Sequence, residues 1–262
     1  MTDSQLQPAL YALSGGAGPD VVLMHGLFGM GSNLGSVARS LQGSFRTHQL
    51  DLPHHGRSPW LGELSLSGLA CHVGEYLATA LASPVVLVGH SLGGKVAMQL
   101  AMDQPELVHS LVVADIAPVT YRGSHDRVFA GIRDVSMSAP ASRREATEIL
   151  GRHIDDTGVI QFLVLSLYRD EDKIYRWRFN ASGLEESYSS LLEAPQGDGF
   201  RGPILFVHGG QSEYWHPAAE RRALQLFANA RIESIPDTGH WLHVEKPGEF
   251  NSLVARFLEA NQ

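Results

Sequence analysis

The chain has 262 residues, 44% of them hydrophobic and 18% charged, which excludes a disordered polypeptide. A single cysteine excludes a disulfide-stapled miniprotein, and the length suits one large domain, or one domain carrying an insertion. Lys and Arg total 20 against 28 Asp and Glu, so the net charge is −8 with no basic block, which argues against nucleic acid or an anionic membrane as partner.

The opening MTDSQLQPALYALSGGAGPD has neither a basic nor an apolar leader region, so no secretory signal is expected. Val21–His25 reads as the first strand, Asn33–Leu41 as a helix and His48–Asp51 as a second strand. Leu66–Leu81 reads as a helix. Its Cys71 is expected to be buried, and a lone thiol fits a reducing, cytoplasmic compartment. The uncharged stretch Leu77–Gly94 approaches the length of a membrane span. Pro84, Gly89, His90, Ser91 and the Gly93–Gly94 pair break it, so no transmembrane helix is expected. It divides instead into a helix end, the strand Val85–Gly89 and the start of a helix over Leu92–Met102.

Leu111–Asp115 is the next strand. From 121 to 200 no strong buried strand follows. Helical patterns cover His125–Met137, Ser142–His153 and Gly158–Tyr168, before an aromatic, basic run at Tyr175–Phe179. The rhythm then resumes with the strand Ile204–Val207, the helix Pro217–Phe227, the strand Arg231–Ile235 and the helix Pro247–Leu258. Continuous apolar strands alternating with helices predict an α/β fold with a mostly parallel, doubly wound sheet. Residues 1–120 and 201–262 are expected to form the core domain and 121–200 an inserted helical cap. The plainer alternative for that insertion is a stack of surface helices with no part in ligand access.

Gly89-His90-Ser91-Leu92-Gly93 matches G-x-S-x-G, directly after a strand and opening a helix. A sharp strand-to-helix turn lifts the serine oxygen clear of the sheet, and the helix start offers free N–H groups to a developing oxyanion. Gly89, Gly94 and Lys95 also satisfy a phosphate-loop spacing, but Val96 stands where a nucleotide site needs Ser or Thr. His25-Gly26-Leu27-Phe28-Gly29 follows the first strand and can present a second N–H, so the expected oxyanion donors are the backbone N–H groups of Leu27 and Leu92. His25 reads as a structural hydrogen-bonder. Gly239-His240-Trp241 follows the last strand, where a histidine can fold back over the nucleophile; of the 13 histidines, His240 is the expected general base.

These stretches, with Asp51-x-x-x-x-Gly56-x-Ser58, resemble the α/β-hydrolase superfamily over nearly the whole chain. More narrowly, residues 89–95, Asp115–Val119 and Trp177–Asn180 resemble the small bacterial esterases active on short-chain acyl esters and acyl-CoA thioesters. The resemblance implies a cofactor-free serine hydrolase with a helical cap. In most of the superfamily the triad acid follows the strand that here is Ile204–Val207, but Ser212 occupies the usual Asp position. The narrower group uses the aspartate that is here Asp115. Orienting imidazole and balancing imidazolium needs an anion, so Asp115 is the favoured acid, Glu213 and Asp237 are alternatives, and Ser212 is an auxiliary partner.

Phe28, Leu92, Trp241 and the cap aromatics are expected to line the acyl pocket, and His90 is also expected beside the substrate. His54–His55 invites a metal reading but lacks a third ligand at suitable spacing, and no metal site is expected. Asp51, Arg57 and Ser58 are expected to pin a loop. Arg176 and Arg178 could meet an anionic leaving group, or pair with acids and aromatics. Lys95 reads as a helix-surface or salt-bridging residue. The expected activity is hydrolysis of a small-molecule carboxylic ester, of short to medium acyl chain, or of an acyl-CoA thioester, through an acyl-enzyme. Alternatives are a carbon–carbon bond hydrolase of meta-cleavage type, a cofactor-free perhydrolase, or a binding protein using the same pocket.

Overall fold

The structure, a computed structural model, describes residues 9–82 and 84–262. The first eight residues of the segment read for a leader lie outside that range. In chain order the elements begin with β1 (Ala12–Gly16), β2 (Asp20–Met24), α1 (Gly35–Leu41), β3 (Arg46–Leu50), α2 (Leu66–Ala80), β4 (Val85–His90), α3 (Leu92–Asp103) and β5 (Val108–Ala114). The insertion holds α4 (Asp126–Ser138), α5 (Arg143–Leu150), α6 (Thr157–Leu165), the hairpin β6 (Leu167–Arg169) and β7 (Tyr175–Trp177), α7 (Ala181–Glu186) and α8 (Tyr188–Leu191). The chain closes with β8 (Ile204–Gly209), α9 (Pro217–Leu226), β9 (Ala230–Ile235), α10 (Leu242–Glu245) and α11 (Pro247–Glu259).

Seven strands form one sheet in the order β1-β3-β2-β4-β5-β8-β9, parallel throughout except for β1. The alternation of side chains along each strand sorts the apolar runs into two cores. Val22, Met24, Leu87, Leu111 and Phe206 pack with α2, α3 and the insertion. Val21, Leu23, Val88, Val112 and Val207 pack with α1 and α11 on the other face. A fully buried Val or Leu contributes about 1.5–3 kcal/mol, so strands apolar on both faces settle at the centre of the sheet. Strand order reverses between β2 and β4, and in such sheets the crevice at the carboxyl ends there is where ligands sit.

Each predicted strand and core helix is present, with ends within about two or three residues of those read from the sequence. Edge strand β1 is an addition. Its residues, ALSGG, carry too little apolar pattern to announce a strand, and it is held by antiparallel pairing to β3. The aromatic run at 175–179 contributes strand β7 of a hairpin. Cys71 is exposed, which corrects the expectation of burial. In α2 the buried stripe runs Leu66, Leu69, Ala70, Val73 and Leu77, and the helical repeat turns position 71 to the opposite side. No helix among the described residues is long and apolar enough to cross a membrane.

The insertion is bonded to the loops at the carboxyl ends of the sheet. Ser166 Oγ donates to Phe28 O (2.8 Å), Asn180 N–H to His54 O (2.8 Å), and Leu64 N–H to Ser187 Oγ (2.9 Å).

Candidate active site

Ser91 sits between β4 and α3 with φ +52°, a left-handed conformation that costs roughly 1–3 kcal/mol in a non-glycine residue. The flanking glycines make the turn possible. A Cβ on Gly89 would lie 2.3 Å from Gly93 O, and one on Gly93 would lie 2.3 Å from Met24 O. Gly93 N–H donates to His25 O (3.1 Å), tying the Ser91 turn to the loop after β2.

Three remote stretches meet at this turn. His240 Nε2 lies 3.1 Å from Ser91 Oγ, and His240 Nδ1 lies 2.7 Å from Asp115 Oδ2. Asp115 also has a left-handed backbone, φ +51°, and is fully buried. A buried carboxylate needs partners. Asp115 has Gly209 N–H on Oδ1 (2.8 Å) and Ser212 Oγ–H, beside the imidazole, on Oδ2 (2.5 Å). Neither alternative acid reaches the ring: Glu213 is exposed, and the Asp237 side chain points to solvent near Lys246 Nζ (4.0 Å).

Around the expected oxyanion position, neighbouring donors are already engaged. Phe28 N–H bonds His55 Nε2 (3.2 Å), whereas the N–H groups of Leu27 and Leu92 find no acceptor among the described residues. His25 and His55 act as loop braces. His25 accepts Leu52 N–H at Nε2 (3.1 Å) and faces Gly26 O through Nδ1 (2.8 Å); His55 faces Pro53 O through Nδ1 (2.9 Å). Burial lowers their pKa values to about 4 and about 3, keeping both neutral. Asp51 pins the adjacent loop by accepting Gly31 N–H (2.7 Å) and Arg57 N–H (2.8 Å), while Ser58 Oγ donates to Asp51 O (2.5 Å).

The site opens into a cavity of about 990 Å³ bordered by Leu27, Phe28, Leu92, Tyr121, Phe162 and Trp241 among others. His90 also borders it, but the ring is buried and its Nε2–H donates to His240 O (2.9 Å), so it holds the His240 loop. Two neighbours had no sequence signal. Tyr214 stacks on the His240 ring at 4.2 Å, and His243 packs against His90 at 4.4 Å. Desolvation, with the nearby His240 as a lesser contributor, lowers His243 to about 4.

Lys95 corrects the surface expectation. It is buried, and its Nζ donates to Leu192 O (2.6 Å) and Glu193 O (2.5 Å). Burial draws its pKa down to about 7, opposed by Glu193. Arg176 pairs with Asp170 on the exterior, and Arg178 lies over the Tyr168 ring (5.0 Å); neither borders the cavity.

The alpha/beta hydrolase family model matches residues 21–253. Esterase YbfF of Escherichia coli (strain K12) is 35% identical over 239 residues, covering 91% of this chain and 92% of that protein. The sn-1-specific diacylglycerol lipase ABHD11 of Mus musculus is 34% identical over 249 residues, covering 92% of this chain and 81% of that protein. A solved structure, a marine microorganism esterase, is 31% identical with a TM-score of 0.91, covering 96% of this chain and 100% of that one. By the span of the family match and the identity of these relatives, the chain belongs to the alpha/beta hydrolase family.

Proposed function

We propose that this chain hydrolyses carboxylic esters through an acyl-enzyme on Ser91. The observation that carries the reading is the continuous hydrogen-bonded path from Ser91 Oγ through His240 to Asp115 Oδ2, at 3.1 and 2.7 Å. A serine hydroxyl is a weak nucleophile until a base removes its proton during attack. His240 Nε2 takes that proton as Oγ bonds the ester carbonyl carbon, and Asp115 balances the imidazolium and fixes its tautomer. The N–H groups of Leu27 and Leu92 are the donors for the oxyanion. Collapse breaks the bond to the alcohol oxygen, which leaves with the proton from Nε2. Water then repeats the cycle at the acyl-enzyme and frees the carboxylic acid and Ser91.

The insertion over 121–200 serves as a cap, since Tyr121, Phe162 and Leu192 border the cavity from it. The exposed free thiol of Cys71 supports a reducing, cytoplasmic setting.

Ser91→Ala should lower kcat for p-nitrophenyl butyrate by about 10⁶-fold with an unchanged far-UV spectrum and melting temperature. Turnover within tenfold of wild type would refute the nucleophile assignment.

A further inference from the structure

An ester has two arms, and this cavity has two ends. At one end Ile116, Leu191 and Lys95 are buried, and the Lys95 ammonium is held by the carbonyls of Leu192 and Glu193. At the other, Leu165 of α6 and Val244 of α10 border the same cavity yet are 65% and 64% exposed. Between them the Phe162 and Trp241 rings lie 5.8 Å apart. One end is closed; the other opens to water over an apolar rim.

We propose that the leaving alcohol lies in this α6–α10 mouth and the acyl group at the closed end, so that the substrates are esters of apolar, uncharged alcohols. The proposal rests on the ester-hydrolase reading above. Proton transfer supplies the first argument. His240 must protonate the leaving oxygen, so that oxygen lies against the imidazole. Trp241 follows His240 in the chain, and its ring, 6.1 Å from the imidazole, begins the mouth. The order of events supplies the second. The neutral alcohol must depart, and water must enter, while the acyl group is still bonded to Ser91 Oγ. An alcohol lodged at the closed end would be trapped behind the acyl chain.

Charge then restricts which alcohols fit. Among the described residues bordering the cavity, Lys95 is the one lysine or arginine, and its Nζ is committed to two carbonyls. The mouth's own charged groups are acids. Asp156 accepts the N–H of Gly158 (2.7 Å) at the start of α6, and Glu245 accepts Gly239 N–H (2.9 Å). A phosphate-bearing leaving group, as in an acyl-CoA, meets repulsion there and no cationic partner. An apolar alcohol gains instead, since each methylene taken out of water is worth about fourfold in binding.

The test uses the full chain and measures kcat/KM by acid release. Ethyl, butyl and hexyl butyrate vary the alcohol; ethyl butyrate, hexanoate and octanoate vary the acyl group. Both series are run on wild type, Leu165→Glu and Val244→Glu, whose exposed positions leave folding intact. In wild type, hexyl butyrate should exceed ethyl butyrate by more than about tenfold. That ratio should fall about tenfold in each variant, while the octanoate-to-butyrate ratio changes little. Butyryl-CoA should react at least about tenfold more slowly than S-ethyl thiobutyrate, which carries the same acyl group. Collapse of the acyl series in the variants would place the acyl arm in the mouth and overturn the assignment. Loss in neither series would show that the mouth binds neither arm, and equal or faster turnover of butyryl-CoA would overturn the charge argument. Wild type that cleaves no ester in either series would instead sink the hydrolase reading itself.

Discussion

Asp115 serves three donors at once, and its two oxygens divide the work. Gly209 N–H holds Oδ1, while Oδ2 receives both the Ser212 hydroxyl and the His240 imidazole. Asp115→Asn keeps the shape but offers the ring an amide, which favours the wrong tautomer. Its kcat for p-nitrophenyl butyrate should drop by about 10⁴-fold, and a near-normal rate would show that Asp115 is not the triad acid. Ser212→Ala removes one hydrogen bond to a charged acceptor and leaves the anion in place. A loss of about tenfold in kcat with KM little changed is expected; steady-state kinetics on both variants separates the two contributions. The turn that carries Ser91 and the loop that carries His240 were legible from spacing, glycines and chain order. Tyr214 was not, because a ring stacking on His240 from another loop leaves no periodic mark in the chain.

The helix that follows Ser91 shows how packing overrides a residue's usual habit. α3 is buried along almost its whole length, and Lys95 and Gln99, one turn apart, both face the returning end of the insertion. Gln99 Nε2 donates to Gln196 O (2.9 Å) and its Oε1 accepts Gln196 N–H (2.8 Å), beside the lysine's bonds to Leu192 and Glu193. Lys95→Met fills a similar volume but leaves the Leu192 and Glu193 carbonyls without their donor. The urea midpoint should fall by an amount equivalent to about 2 kcal/mol; an unchanged midpoint would mean that water or a shifted backbone replaces the clamp. In sequence a lysine within a helix reads as solvent-facing, since nothing local tells of a segment nearly a hundred residues later packing over it. The same reasoning accounts for β1, whose residues form a strand only because β3 presents a free edge to them.

At the scale of the whole molecule, the crevice between β2 and β4 gathers a set of buried histidines held neutral. Burial is the main cause of the depressed pKa in each: about 4 for His25 and His243, about 3 for His55, and well below the ordinary value for His90. The unfolded chain protonates these rings near pH 6.5. Between pH 6.5 and about 4 it therefore holds more protons than the folded protein. Stability is fully present above that window and is lost as pH falls through it, by about 1.4 kcal/mol per pH unit for each such histidine. Melting temperatures from pH 7.5 to 4.5 should be level at first and then fall steeply; a level profile down to pH 4.5 would show that the rings are not held neutral. Short-range rules were enough to read the alternation of strands and helices, the turn at Ser91 and the loop at His240, because periodicity, glycines and turn residues act within a few positions. Which carboxylate meets the imidazole, which helix face is covered, and which end of the cavity opens were settled by assembly. Those outcomes depend on contacts such as His240 with Asp115 and with Ser91, 125 and 149 residues apart in the chain, and the packing that brings such distant groups together is collective, so no local stretch carries its imprint.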